Sequence, residues 1–308
     1  MKIIYYFSIL ALLVSCKNTS EEKTEKVSNE TESVQKSKSK VDFKEVEKLA
    51  GDFVFTEGPS ADAEGNVYFT DIPENKIYIW TTDDQLKTFK ENTGGANGLY
   101  FDKDKNLLIC EGQKGVIASI NQEGEYKSIA TEYNGKRFNQ PNDIWADGKG
   151  GAYFTDPKYS NDLELPQESM QVYYINSDHT EVTRVTEDLV KPNGLIGTPD
   201  GKTLYITDPG ANKTYKYSIQ EDGSLSNKTL FTDLSGDGMT IDNEGNIYLT
   251  TDGKKAIDVF APSGELISSV KIPEQPSNVS FGGEDLNELY ITARTSIYRV
   301  KVNKTGAN

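Results

Sequence analysis

The sequence predicts an all-β fold, a six-bladed β-propeller closed by an N-terminal strand, and three observations carry that prediction. One polar position, held by Glu57, Asn97, Asn142, Asn193, Asp237 and Asn278, recurs at intervals of 40, 45, 51, 44 and 41 residues. Periods of that size, filled with short alternating strands, are the signature of propeller blades. A second pair recurs with it: Tyr68 and Thr70, Tyr153 and Thr155, Tyr205 and Thr207, Tyr248 and Thr250, Tyr290 and Thr292, with Leu108 and Cys110 in the second copy. Finally, the last copy runs out after Ser296 to Val302, one strand short, whereas strand-compatible residues from Phe43 to Leu49 precede the first. An open ring would expose two sheet edges, so the N-terminal segment is expected to supply the missing strand.

The chain opens differently. Met1 and Lys2 are followed by Ile3 to Val14, twelve residues without a charge, long enough for a signal-peptide core and too short to span a bilayer comfortably. Leu13-Val14-Ser15-Cys16 resembles the bacterial lipobox, in which the cysteine is acylated and becomes the mature N-terminus. An ordinary cleaved signal with an incidental cysteine is the alternative; the place of Cys16 directly after the apolar run argues against it. From Lys17 to about Lys40 the chain is Lys, Glu, Ser, Thr, Asn and Gln with Val27 and Val34 as its aliphatics, too little apolar surface to offset the entropy of ordering. The expected organisation is therefore a lipoprotein signal at 1–16, a disordered tether at 17–41 and the propeller at 42–304. The expected location is the bacterial cell envelope, periplasmic or surface-exposed, with a lipid on Cys16 as the membrane contact and a monomer as the assembly.

A net charge of -15 excludes nucleic acid as a partner, because phosphate binding needs clustered Lys and Arg, and is compatible with cations. Each blade turns through a small polar cluster such as Asp62-Ala63-Glu64-Gly65-Asn66 or Asp242-Asn243-Glu244-Gly245-Asn246, where Gly, Asn and Asp permit positive φ. Outer strands follow, for example Lys76 to Trp80 and Leu86 to Phe89. With Cys16 acylated, Cys110 has no disulfide partner, and its slot makes it a packed stand-in for a blade threonine rather than a reactive thiol.

The six anchors are expected to open the innermost strands and so converge at one end of the channel. Two carboxylates and several amide oxygens make a cage suited to a hard cation such as Ca²⁺, with Glu57 and Asp237 offsetting its charge. The competing reading is structural, since Asn-Gly, Glu-Gly and Asp-Gly are also good turn dipeptides. Fourteen or fifteen residues after the anchors come Asp71, Glu111, Asp156 and Asp208, expected either to orient the Asn side chains or to cap the following loop. His179, the sole histidine, sits in a polar turn, which makes a His-based nucleophilic triad a poor reading.

At these residues the chain resembles the gluconolactonase and regucalcin (senescence-marker-protein) family of calcium-dependent six-bladed propeller lactonases. The resemblance spans about Asp52 to Val302. It rests on Phe55-Thr56-Glu57-Gly58-Pro59, Arg137-Phe138-Asn139-Gln140-Pro141-Asn142-Asp143, Tyr153-Phe154-Thr155-Asp156-Pro157, Lys191-Pro192-Asn193-Gly194 and Asp237-Gly238-Met239-Thr240-Ile241-Asp242. It implies that Glu57, Asn142, Asn193 and Asp237 ligate a catalytic Ca²⁺, or another divalent ion such as Zn²⁺, Mg²⁺ or Mn²⁺, and that Asp237 is also the general base. Arg137, with Asn97 and Asn278, would face the substrate, and Arg137 in a surface salt bridge is the bland alternative. Lys191 stands where many bacterial members carry His, which bears on substrate preference. The activity implied is hydrolysis of sugar lactones or related small cyclic esters. An esterase or phosphotriesterase using the same ion and a non-catalytic sugar- or protein-binding propeller are the alternatives, and metal-dependent turnover of a lactone panel separates them.

Overall fold

The computed structural model describes residues 40–161 and 165–307. Every regular element there is a strand, arranged as six four-stranded antiparallel sheets. The first blade is Thr56–Ala61, Val67–Asp71, Lys76–Trp80 and Leu86–Glu91; the innermost strands of the others are Ala96–Phe101, Ile144–Ala146, Leu195–Gly197, Gly236–Ile241 and Asn278–Gly282. Each innermost strand touches those of its two neighbours, the sixth against the first included. The protein is a six-bladed β-propeller.

The ring closes as the missing strand required. Phe43–Ala50 pairs antiparallel with Ser296–Val302, Phe43 opposite Val302 and Ala50 opposite Ile297, and becomes the outermost strand of blade six. Arg299 reinforces the joint, bonding Glu47 on that strand and Asp84 in blade one, each at 2.8 Å. The signal segment, Cys16 and the tether through residue 39 lie outside the described residues. Val41, assigned to the tether by composition, is 1% exposed and exchanges hydrogen bonds with Ser268 Oγ in blade five, its N–H donating and its carbonyl accepting at 3.0 Å.

Burial follows the repeat. The aromatic slot packs between blades, with Tyr153, Tyr248 and Tyr290 at most 1% exposed. The threonine two residues on ties its blade to the next: Thr70 Oγ1 donates to the Asn97 carbonyl, Thr207 Oγ1 to the Gly236 carbonyl and Thr250 Oγ1 to the Ser277 carbonyl. Cys110 in the same slot is fully buried, and burial pushes its thiol well above the ordinary range. The hairpin aspartates close the turns at the other end of the strands; Asp62, Asp102 and Asp242 each accept two backbone N–H groups from the turn they open.

Candidate active site

The anchors sit on irregular backbone. The pairing slips between Glu57 and Ser60, between Ala96 and Leu99, and between Gly236 and Met239. In blades three and four the regular strand begins only at Ile144 and Leu195, two residues past Asn142 and Asn193, so the expectation that every anchor opens its strand holds for four blades and is corrected for two. Pro141 and Pro192 stand just before those two anchors and have no N–H to give a ladder. A bulge re-aims the side chain it carries, and here the anchors are turned toward the channel.

The residue after each anchor sets how closely the strands approach. Gly98 N–H donates to the Asn142 carbonyl, and Gly194 N–H to the Asp237 carbonyl, both at 2.7 Å. A Cβ on Gly58, at φ +47°, would lie 2.1 Å from the Asn97 carbonyl oxygen, and one on Gly98 2.6 Å from that of Asn142. These glycines make room for a neighbouring blade. The reading of the dipeptides as simple turns is thereby replaced by close backbone approach.

Glu57, Asn142 and Asn193 are buried, and Asp237 beside them is half-buried. The Glu57 carboxyl is pushed well above its ordinary value by burial first and then by the nearby Asp237 carboxylate. Asp237 is pushed up to about 7 by burial and by Asp252 beside it, while Asn193 Nδ2 bonds to its Oδ1 and holds it down. Asp143 is also raised to about 7 by burial, against the Ile144 and Leu195 N–H groups it accepts. Among the described residues no cationic side chain makes an ion pair with Glu57, Asp143 or Asp237. Buried like charges without a counter-ion are costly. The Asn142 backbone N–H donates to the Thr155 carbonyl, which leaves its side chain to the channel, and Asn97 Oδ1 is buried without a partner among the described residues. No three His, Cys, Asp or Glu side chains cluster as a metal site by themselves among the described residues, so any site here draws on amide oxygens too. Two carboxylates and neutral amide oxygens in a buried ring fit a hard divalent cation.

The second acidic row acts on backbone rather than on Asn side chains. Asp71 accepts the Val54 and Phe55 N–H groups, Asp156 those of Asn139 and Gln140, and Asp208 those of Val190 and Lys191, all at 2.8–3.0 Å. Each pair of amides ends two residues before an anchor, so these carboxylates fix the loop that delivers Glu57, Asn142 or Asn193. Glu111 does something else, accepting from Lys114 Nζ and the Tyr126 hydroxyl at 2.8 Å. Asn278, expected to face substrate, is occupied: its Oδ1 accepts the Val279 N–H at 2.8 Å, and its amide steadies the carboxyls of Glu57 and Asp143. Arg137 makes no ion pair among the described residues; its Nη1 donates to the carbonyls of Phe138 and Asn139. Asn97 keeps an open oxygen.

Two residues join the site that the repeat did not single out. Asp143 carried a signal, since it replaces the glycine that follows most anchors. Tyr159 carried none, because it lies in the irregular connection after Pro157; its hydroxyl accepts from Asn193 Nδ2 at 2.7 Å and its ring lies 3.8 Å beneath Lys191 Nζ. A cavity of about 500 Å³ lies on the other side of the ring. It is lined by Leu99, Ile144, Ile196, Met239 and Val279, with Asp143 and Asn278 at its boundary with the anchors. His179 is a turn residue at φ +58° in the outer hairpin of blade three.

Residues 55–295 match the family model described as the SMP-30/Gluconolactonase/LRE-like region. A gluconolactonase of Zymomonas mobilis is 29% identical over 295 residues, covering 85% of this chain and 82% of that protein. The solved gluconolactonase of Xanthomonas campestris is 25% identical with a TM-score of 0.76 over 83% of this chain and 89% of that one. Regucalcin of Agrobacterium tumefaciens, described as a calcium-binding protein, shares the fold at 20% identity, with a TM-score of 0.72 over 86% of this chain and 95% of that one. The chain, with its six blades and its ring of Glu57, Asn142, Asn193 and Asp237, belongs to the SMP-30/gluconolactonase/LRE-like family.

Proposed function

We propose that the protein hydrolyses sugar lactones or related small cyclic esters, with a divalent cation, Ca²⁺ first among the candidates, held by Glu57, Asn142, Asn193 and Asp237. The observation that carries this is the pairing of the Glu57 and Asp237 carboxyls, each raised in part by a neighbouring carboxylate, and neither in an ion pair with a cationic side chain among the described residues. The gluconolactonases of Zymomonas mobilis and Xanthomonas campestris support the substrate class, and the calcium-binding neighbour supports the ion.

When bound, the cation would polarise the ring carbonyl and offset the charge that develops on its oxygen. The rest falls to the chain. Asn193 occupies Oδ1 of Asp237, leaving Oδ2 to take the proton of a water that attacks the carbonyl carbon. As the ring C–O bond breaks, the same proton returns to the leaving alkoxide. Asn278 keeps the Glu57 and Asp143 carboxyls in place, and the aspartates at 71, 156 and 208 hold the loops rigid behind the ring.

The test is the rate on a lactone panel after chelation and as Ca²⁺ is restored, for wild type, Glu57→Gln and Asp237→Asn. Glu57→Gln should need more Ca²⁺ yet recover turnover. Asp237→Asn should stay down by about two to four decades at saturating Ca²⁺, the size of general-base removal. Full rescue of Asp237→Asn would leave it a ligand only, and no turnover of any lactone would end the reading. We further propose that Cys16 is acylated and holds the domain at a membrane of the cell envelope; Cys16→Ala should move the protein to the soluble fraction.

A further inference from the structure

Several surface cations of this protein are neutralised by carboxylates. Lys103, Lys114, Lys136, Lys228, Lys254 and Lys304 each sit within 3.0 Å of one, and of the four arginines Arg184 and Arg299 do the same. Two cations at the channel mouth are instead mounted on aromatic faces. Lys191 Nζ lies 3.8 Å from the centroid of the Tyr159 ring, and the Arg294 guanidinium 5.2 Å from that of Phe55. Neither has a carboxylate within 4.0 Å among the described residues.

The mounting matters physically. An ion pair fixes a cation and cancels its charge, whereas an aromatic face fixes it and leaves the charge available to a ligand. Both mounts are attached to the site. The Tyr159 hydroxyl accepts from Asn193 Nδ2 at 2.7 Å, so the Lys191 ammonium stands one tyrosine ring from an anchor, comparable to the span of a sugar. Arg294 is at the tip of the last hairpin, at φ +52°, and its carbonyl accepts the Thr56 N–H at 2.8 Å, next to Glu57. Glu57 belongs to blade one and Asn193 to blade four, which face each other across a six-membered ring. Lys191 thus stands at blade four and Arg294 at the seam of blades six and one, two cations held near the anchors without an ion pair among the described residues, in a chain of net charge -15.

Resting on the lactonase reading, we infer that the preferred substrates are lactones bearing a second, anionic group, a carboxylate or a phosphate carried away from the reacting carbonyl, and that Lys191, with Arg294 as a second cation near Glu57, is the residue that selects them. A neutral lactone gives these charges nothing to meet. An anionic one would otherwise be repelled by Asp252 and by the overall field of the protein.

The experiment compares kcat/KM for neutral glucono-delta-lactone, carboxylated glucaro-gamma-lactone and a phosphorylated gluconolactone, with Ca²⁺ saturating, for wild type, Lys191→Gln, Lys191→Arg and Arg294→Gln. Wild type should favour an anionic lactone, and which of the two it favours identifies carboxylate or phosphate as the group recognised. Lys191→Gln should lower the anionic-to-neutral ratio by about tenfold, the size of one charge-assisted contact, chiefly through KM. Lys191→Arg should keep most of the ratio, Arg294→Gln should lower it less, and added salt should erode it. Neutral lactone preferred by wild type, or a ratio unmoved by Lys191→Gln, overturns the inference while the lactonase stands; no turnover of any lactone overturns both.

Discussion

Gly98 offers a direct test of how tightly the ring is built. Its φ lies outside the left-handed region, so alanine there meets a purely steric obstacle. The added Cβ would fall 2.6 Å from the Asn142 carbonyl oxygen, 2.6 Å from Asp143 Oδ1 and 2.7 Å from Asp143 Cα. An ordinary contact begins near 3.4 Å, so the Asn142-Asp143 backbone must retreat by about 0.8 Å, a distance over which packed strands are stiff. Overpacking of this kind costs about 1–3 kcal/mol, and a domain of this size loses roughly 2–4 °C in Tm for each kcal/mol. The functional effect should be larger, because a shift near 1 Å in a positioned group can cost about a hundredfold in rate. Gly148→Ala is the paired control: nothing lies within 4 Å of its Cβ and its φ is not positive, so it should gain about 0.4–1 kcal/mol from a stiffer unfolded chain. Calorimetry and lactone turnover on both variants settle the matter. A Gly98→Ala protein that melts with wild type and retains its rate would show that the blades are not in hard contact at the ring.

Three further outcomes follow from the same geometry. Asp237, raised to about 7, must lose its proton to hold a cation, and Glu57 is raised as well, so Ca²⁺ affinity should rise as pH goes from 6 to 8, by up to about tenfold per unit for each proton released; equal affinities at the two pH values by calorimetry would contradict it. In the metal-free protein the raised Asp237 and Asp143 work the other way, since the folded state binds the extra protons: their contribution to stability is present at low pH and fades as pH climbs toward about 7, a decline that Ca²⁺ should offset in thermal melts. Removing Phe43–Ala50 unpairs Ser296–Val302 and breaks the Arg299 bonds to Glu47, so a chain begun at Gly51 should lose several kcal/mol, whereas one begun at Lys40 should melt with the full-length protein.

The repeat made the blades and the closing strand legible, because each depends on local pattern: an aromatic and a threonine on one returning strand, a polar turn, a count of strands that comes up short. The anchors were legible as positions but not as geometry. Nothing in Glu57-Gly58 or Asn97-Gly98 distinguishes a turn from a bulge pressed against the next blade; that difference lies between residues about forty positions apart, as in Gly98 N–H bonded to the Asn142 carbonyl. The second acidic row shows the same limit. Asp71, Asp156 and Asp208 sit at the end of the blade where the spacing of fourteen or fifteen residues put them, yet whether they meet an Asn amide or a loop N–H is decided by the conformation of residues 54–55, 139–140 and 190–191, which carry no period. Asp143 could have been found, as the one carboxylate in a slot that neighbouring blades fill with glycine, and it is now the group that joins the ring to the cavity behind it. Tyr159 could not, because its place depends on Gln140 Oε1 accepting its N–H at 2.7 Å across nineteen residues of chain. That single bond brings an aromatic ring, and with it the Lys191 charge, to the edge of the site: the blades supply the ligating oxygens by repetition, and one unrepeated loop supplies what could tell one substrate from another.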